Sequence, residues 1–266
     1  MLVVTGKSRI GEALRIFHHH YRAFLSFWFI GLLLINLPVW ATERTNLPTL
    51  RYNLGGTSAW VPYGYHGDPN NQGIFAEVIH AIMKLTHIPY EFYYYPPKRA
   101  EMAIESGKLD FDFMSPSWFK DGFMGEEYAT TIAIFELVEY VVTLPKNAEN
   151  FATPEAIYGK RIGTVAGYSY YDDDKFTRVD FLSESKLIEG LARQRFDAVI
   201  LEGMAARYWA NANQVSITLA SVHSQGDIVI RLRQEYKHLI PVLNQAIVDL
   251  RQSGQIAKIL QRYNVD

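Results

Sequence analysis

Residues 97–115 read PKRAEMAIESGKLDFDFMS, and residues 185–202 repeat the same grammar as SKLIEGLARQRFDAVILE. In the first stretch Pro97 opens a helix, a position that suits proline, and Gly107 stops it. Lys108-Leu109-Asp110 then leads into a buried strand at Phe111–Met114. Placing Asp110 on Asp197 brings Lys108 onto Arg195, Leu109 onto Phe196 and the strand onto Ala198–Leu201. Ser115 then falls on Glu202. Two helix–strand units of parallel sheets would each deliver a polar side chain to the carboxyl edge of a strand, where open α/β sheets hold ligands. Two such edges facing one another make a cleft.

Outward from these units the pattern is regular. Thr49–Leu54 is a short strand followed by Gly55-Gly56, and Gln72–Leu85 carries a helical apolar stripe. Pro89–Tyr95 is an aromatic strand, so the first part reads β-α-β-α-β, the signature of a parallel sheet with covering helices. Ile132–Leu144 is a long β-branched run suited to crossing between lobes. Lys160–Val165 is a strand, and a helix is expected to begin near Ala166-Gly167-Tyr168-Ser169. Arg178–Leu182 is a strand, Ser185–Gln194 a helix, Phe196–Leu201 a strand and Met204–Asn211 a helix. Val215–Val222 and Asp227–Leu232 read as two strands split by a glycine-containing loop. Lys237–Arg251 and Gln255–Tyr263 are amphipathic helices, expected to pack back on the first lobe.

Composition bounds the function. The 266 residues are 48% hydrophobic, 20% charged and 14% aromatic, with net charge −2 and no cysteine. Nothing suggests the basic face of a nucleic-acid binder. Thiol catalysis, disulfides and thiolate metal sites are excluded. At the N-terminus, Lys7, Arg9, Arg15 and Arg22 precede an uncharged run from Ala23 to Thr42. Pro38 and the small residues flanking Trp40 complete a secretory signal with cleavage after Ala41. The run is also just long enough to span a bilayer, so an N-terminal anchor is the competing reading. Cleavage leaves 22 Lys/Arg against 27 Asp/Glu and removes His18–His20.

The residues resemble a known family, the bacterial extracellular solute-binding proteins of family 3, the polar amino-acid-binding type of periplasmic receptor. The resemblance is carried by Trp60-Val61-Pro62-Tyr63 with Gly73-Ile74, by Arg99 and Gly107-Lys108-Leu109-Asp110, by Arg161–Gly167, by Phe196–Val199, and by Leu243-Asn244-Gln245-Ala246 through Tyr263. It covers nearly all of residues 48–266. It implies a periplasmic binding protein-like fold: two α/β lobes joined by two hinge strands, with a ligand between them. Lobe 1 would take residues 48–140 and 225–266, and lobe 2 residues 141–224.

The resemblance also implies roles. An aromatic of the first loop, Trp60 or Tyr63, would face the ligand. Backbone amides of Gly167, Tyr168 and Ser169 would hold an anionic group, as helix starts can. Glu202 would receive a ligand ammonium. Ser115, Trp118 and Arg99 complete the candidate ligand-binding set. The family's amino-acid binders carry an arginine shortly after the first-lobe strand, but here Ser115–Lys120 follows it, and no arginine lies between Arg99 and Arg161. Lysine is a point charge and does not replace a bidentate fork. The implied partners are a small-molecule solute and the membrane permease of an ABC transporter, with the receptor a monomer and no nucleic acid involved. No cofactor is expected.

Other readings fit the same residues. Asp110 and Asp197 resemble a catalytic pair, yet aspartate commonly caps turns at such positions. A related enzyme class, the cyclohexadienyl dehydratases, uses similar lobes, and Glu202 would be its general acid. A sensory module serving a membrane partner is the third reading. Asp172-Asp173-Asp174 points in three directions rather than at one metal ion. The histidines lack ligand spacing, and no nucleophile elbow, P-loop or zinc-protease motif occurs.

Overall fold

The computed structural model describes residues 47–54, 60–65 and 72–263. The secretory signal, its competing anchor reading and the loop glycines at 55, 56 and 67 lie outside the described residues. The elements run β1 (Leu50–Asn53), α1 (Ile74–Thr86), β2 (Tyr90–Tyr93), α2 (Pro97–Glu105), β3 (Phe111–Met114), β4 (Tyr128–Thr130) and β5 (Phe135–Thr143). They continue with β6 (Arg161–Val165), β7 (Thr177–Phe181), α3 (Glu184–Ala192), β8 (Ala198–Glu202), α4 (Gly203–Ala212), β9 (Thr218–Arg233), α5 (Ile240–Gln252) and α6 (Gln255–Tyr263).

The strands form one path, β2-β1-β3-β9-β5-β8-β6-β7, with β4 added against β9. β1 pairs in parallel with β2 and β3, and β6 pairs in parallel with β7 and β8. Between these parallel halves run β9 and β5, antiparallel to each other. The two repeated units occupy equivalent places: β3 lies against β9, and β8 lies against β5. β5 and β9 therefore each belong to both halves and act as the hinge strands. The apolar clusters follow this division: one is built around Ile79, Phe111, Ile230 and Leu243, and two others, around Leu187 and Val199 and around Ile162, belong to the second parallel half. Helices α5 and α6 pack on α1 and close the first core.

Three expectations change. β9 is a single strand of 16 residues rather than two strands and a loop. Gly226 stays paired with Leu137 inside it. Its glycine is required because a Cβ there would lie 2.7 Å from Ser117 Oγ and 2.9 Å from Ser115 Oγ. No helix follows β6. The chain turns instead, with Gly167 at φ 91°, a conformation that favours glycine. The Arg178 guanidinium fixes this turn by donating to the carbonyls of Val165 and Tyr168 at 3.0 and 2.8 Å.

Asp110 and Asp197 also differ from the expected pair of turn caps. Asp110 is fully buried and holds Arg51 of β1 through Nε at 2.8 Å, Nη2 at 2.5 Å and the backbone N–H at 2.8 Å. That pair locks β1 beside β3. Asp197 is exposed, and its carbonyl accepts from the Thr143 hydroxyl.

Candidate functional site

The two hinge strands slip in register where they meet the lobes. Glu139 faces Ser224, but Tyr140 faces Val222, so His223 is an extra residue in β9. A bulge re-aims side chains and strengthens local twist. Here it accompanies a row of buried polar groups: Glu139, Ser224, His223 and Asp172. Ser224 Oγ donates to Glu139 Oε2 at 2.7 Å, and His223 Nε2 lies 2.9 Å from Asp172 Oδ1. Burial pushes the Glu139 carboxyl from its ordinary 4.5 up to about 7; the adjoining Glu202 and Asp172 add to this, while His223 and Ser224 oppose it.

Beside Glu139 opens a cavity of about 350 Å³ with walls from both lobes. This is within the size range of small-molecule sites. From lobe 1 come Asn53, Trp60, Phe75, Tyr95, Asp112, Trp118 and Tyr128, and from lobe 2 come Gly167, Tyr168 and Ser169. The lobes are closed on one another. A Cβ at Gly167 would lie 2.7 Å from the backbone nitrogen of Lys98 in α2. The rings of Trp60 and Tyr168 are 6.0 Å apart, and the hydroxyls of Tyr65 and Tyr208 are hydrogen-bonded at 2.9 Å. Tyr168 is anchored from behind, its hydroxyl donating to buried Glu184 at 2.5 Å.

The nine candidates from sequence separate into three groups. Trp60, Trp118, Gly167, Tyr168 and Ser169 line the cavity together. Tyr63 and Glu202 meet, but as each other's hydrogen-bond partners across the lobes, and neither lines the cavity. Glu202 also caps α4, accepting from Ala205 N–H at 2.9 Å. Burial raises its carboxyl above the ordinary value, with the amides of Met204 and Ala205 opposing. Ser115 is buried against Ser117 at 2.8 Å, and Arg99 is exposed on α2; neither is in the lining.

Among the lining residues outside that set, Glu139 and Arg231 are the buried charged ones. Arg231 comes from the far end of β9, and its guanidinium holds Asp112 through Nε at 3.0 Å and Nη2 at 2.6 Å. It also stands 4.3 Å from the Tyr128 ring centre. Both residues had a sequence signal. Glu139 falls in phase with Phe135, Leu137 and Val141 on the buried face of its strand, and Arg231 interrupts the apolar run Ile228–Leu232. Among the described residues no group of three or more His, Asp or Glu side chains could hold a metal ion.

Known structures share this architecture. A mutant of ArgBP from T. maritima superposes with TM-score 0.64 at 19% identity, over 80% of this chain and 94% of the other. An arginine 3rd transport system periplasmic binding protein from Legionella pneumophila gives 0.65 at 17%, over 81% and 100%. A histidine kinase sensor domain with similarity to periplasmic binding proteins gives 0.68 at 16%, over 83% and 97%. No curated protein matches the sequence. Residues 52–266 match the family described as bacterial extracellular solute-binding proteins, family 3, and with two lobes closed on a shared cavity the chain belongs to that family.

Proposed function

We propose that this protein is exported, is freed by cleavage after Ala41, and works as a monomeric periplasmic receptor. It captures a small polar or amino-acid-like solute between lobe 1 (48–140 and 225–266) and lobe 2 (141–224) and hands it to an ABC permease. The observation that carries this reading is the cavity itself, whose walls come from both lobes, with Gly167 lying against the backbone of α2. A ligand there contacts both lobes at once and so favours the closed population.

Binding without turnover is the better reading of Glu202. The acid a dehydratase would need is committed to the N-cap of α4 and to Tyr63. Native mass spectrometry of protein purified from its own periplasm tests the proposal. A co-purifying solute whose removal opens the lobes in small-angle scattering supports it. Turnover of prephenate-like cyclic acids, or scattering unchanged by every solute tried, overturns it.

A further inference from the structure

The charges around the cavity are lopsided. Among the described residues Arg231 is the one Lys or Arg side chain in its lining, and Asp112 already grips it bidentately. With only 7% of that side chain exposed, a ligand carboxylate would have to displace Asp112 to reach it. The turn at Gly167–Ser169 offers no helix start, and its geometry is set by Arg178 from behind. Arg178 is itself matched by Asp173 and Asp180. The cavity is therefore poorly equipped to hold an anion.

It is well equipped to hold a cation. Glu101, Glu105 and Glu127 stand exposed among its lining residues. Lys98, Arg178 and Arg231 act on Glu101 from nearby, and burial and Glu105 outweigh them, so its carboxyl is raised. Inside, Glu139 is 5% exposed, with Oε2 accepting from Ser224. At this depth its ionised form calls for a counter-charge; His223 favours that form from the neighbouring strand, but among the described residues no lining Lys or Arg pairs with it. Trp60, Trp118 and Tyr168 supply aromatic surface, to which cations are attracted. The indole Nε1–H of Trp118 is buried without a partner, ready for an acceptor on the ligand.

We propose that the cavity selects an organic cation lacking a carboxylate, an amine or guanidine on an amphipathic body, with its charged nitrogen on Glu139 and its body against Trp60 and Tyr168. This rests on the solute-binding reading above and narrows it to a ligand class.

The test is calorimetry on the full-length protein with matched pairs that differ only by a carboxylate: agmatine against L-arginine, and 2-phenylethylamine against L-phenylalanine. At least one amine is expected to bind ten times more tightly than its amino acid. Glu139→Gln, which still offers Ser224 an acceptor, is expected to weaken that amine at least tenfold. Asp112→Asn gives an independent reading, since freeing Arg231 is expected to shift the preference tenfold toward the amino acid. An amino acid bound as tightly as its amine overturns the proposal, and so does an affinity indifferent to Glu139→Gln. If succinate or glucose binds while both amines fail, the cation assignment falls and the receptor reading stands. If nothing in the panel binds, both fall.

Discussion

Glu139 of β5 accepts the Ser224 hydroxyl of β9 at 2.7 Å, which ties the two hinge strands together where their register slips. The carboxyl is buried and its pKa is raised to about 7, with Glu202, His223 and Asp172 as its charged or titratable neighbours. The folded chain therefore holds a proton on Glu139 between pH 4.5 and 7 that the unfolded chain has released. Its contribution to stability is complete below pH 4.5 and is lost as pH rises through 7. Glu184 is raised to about 7 by the same burial, so it shares this window. Replacing Glu139 alone isolates one group. Glu139→Gln is expected to match the wild type near pH 4 and to exceed it at pH 8 by up to about 3 kcal/mol. Urea denaturation at the two pH values measures this; a difference that does not change with pH would contradict it.

Asp110 and Asp197 hold equivalent places in the repeated units but different places in the energetics. Asp110 is fully buried on the Arg51 guanidinium, and Asp197 faces solvent. Removing one partner of a buried pair strands the other charge. Since Arg51 is 31% exposed, solvent can recover part of its charge, which places Asp110→Ala at a loss of about 3 kcal/mol. Asp197→Ala is expected within about 0.5 kcal/mol of the wild type. Chemical denaturation of both variants decides the point, and equal losses would show that the repeat is energetically symmetric after all.

The repeat was legible because apolar periodicity, the Gly107 stop and the following strand are local signals. What was lost depends on distant partners. Gly226 suggested a loop, but its missing side chain serves the close approach of Ser115 and Ser117, more than a hundred residues earlier. The turn after Val165 resembled a helix start, but Arg178 twelve or so residues on satisfies its carbonyls and holds it as a turn. Glu202 ends β8 as the repeat suggests, but its carboxyl caps α4 and meets Tyr63. Glu139 and Arg231 escaped notice because charged residues in strands are ordinarily read as solvent-facing. Only the crossing of β5 and β9 between lobes turns those strand faces into a cavity wall.

Gly167 makes closure sensitive to a single methyl group. Its φ of 91° strains any other residue in open and closed forms alike. The second effect belongs to the closed form alone, because a Cβ would meet Lys98 backbone atoms at 2.7 and 2.8 Å, and a helix backbone cannot swing aside as a side chain can. Gly167→Ala is therefore expected to remain folded, to lose about 1 kcal/mol of stability, and to lose ligand affinity by tenfold or more. With saturating ligand, small-angle scattering should report a larger radius of gyration than for the wild type. A variant that closes as fully as the parent would show that the lobes approach less tightly at this point.

The Tyr65–Tyr208 contact is a latch that exists only when the lobes meet, its two hydroxyls 2.9 Å apart. Burial raises the Tyr208 phenol to about 12, with the Tyr65 hydrogen bond adding to it, so that hydroxyl stays protonated at physiological pH. A neutral hydrogen bond of this kind contributes about 1 kcal/mol. Tyr65→Phe and Tyr208→Phe should each weaken ligand binding by about threefold to tenfold, and the double variant should be no weaker than either single one. Because the bond forms after the ligand has entered, the change should fall on the dissociation rate, with association nearly unchanged. Stopped-flow tryptophan fluorescence separates the two rates. A slower association with unaltered dissociation would place Tyr65 on the entry path rather than in the latch.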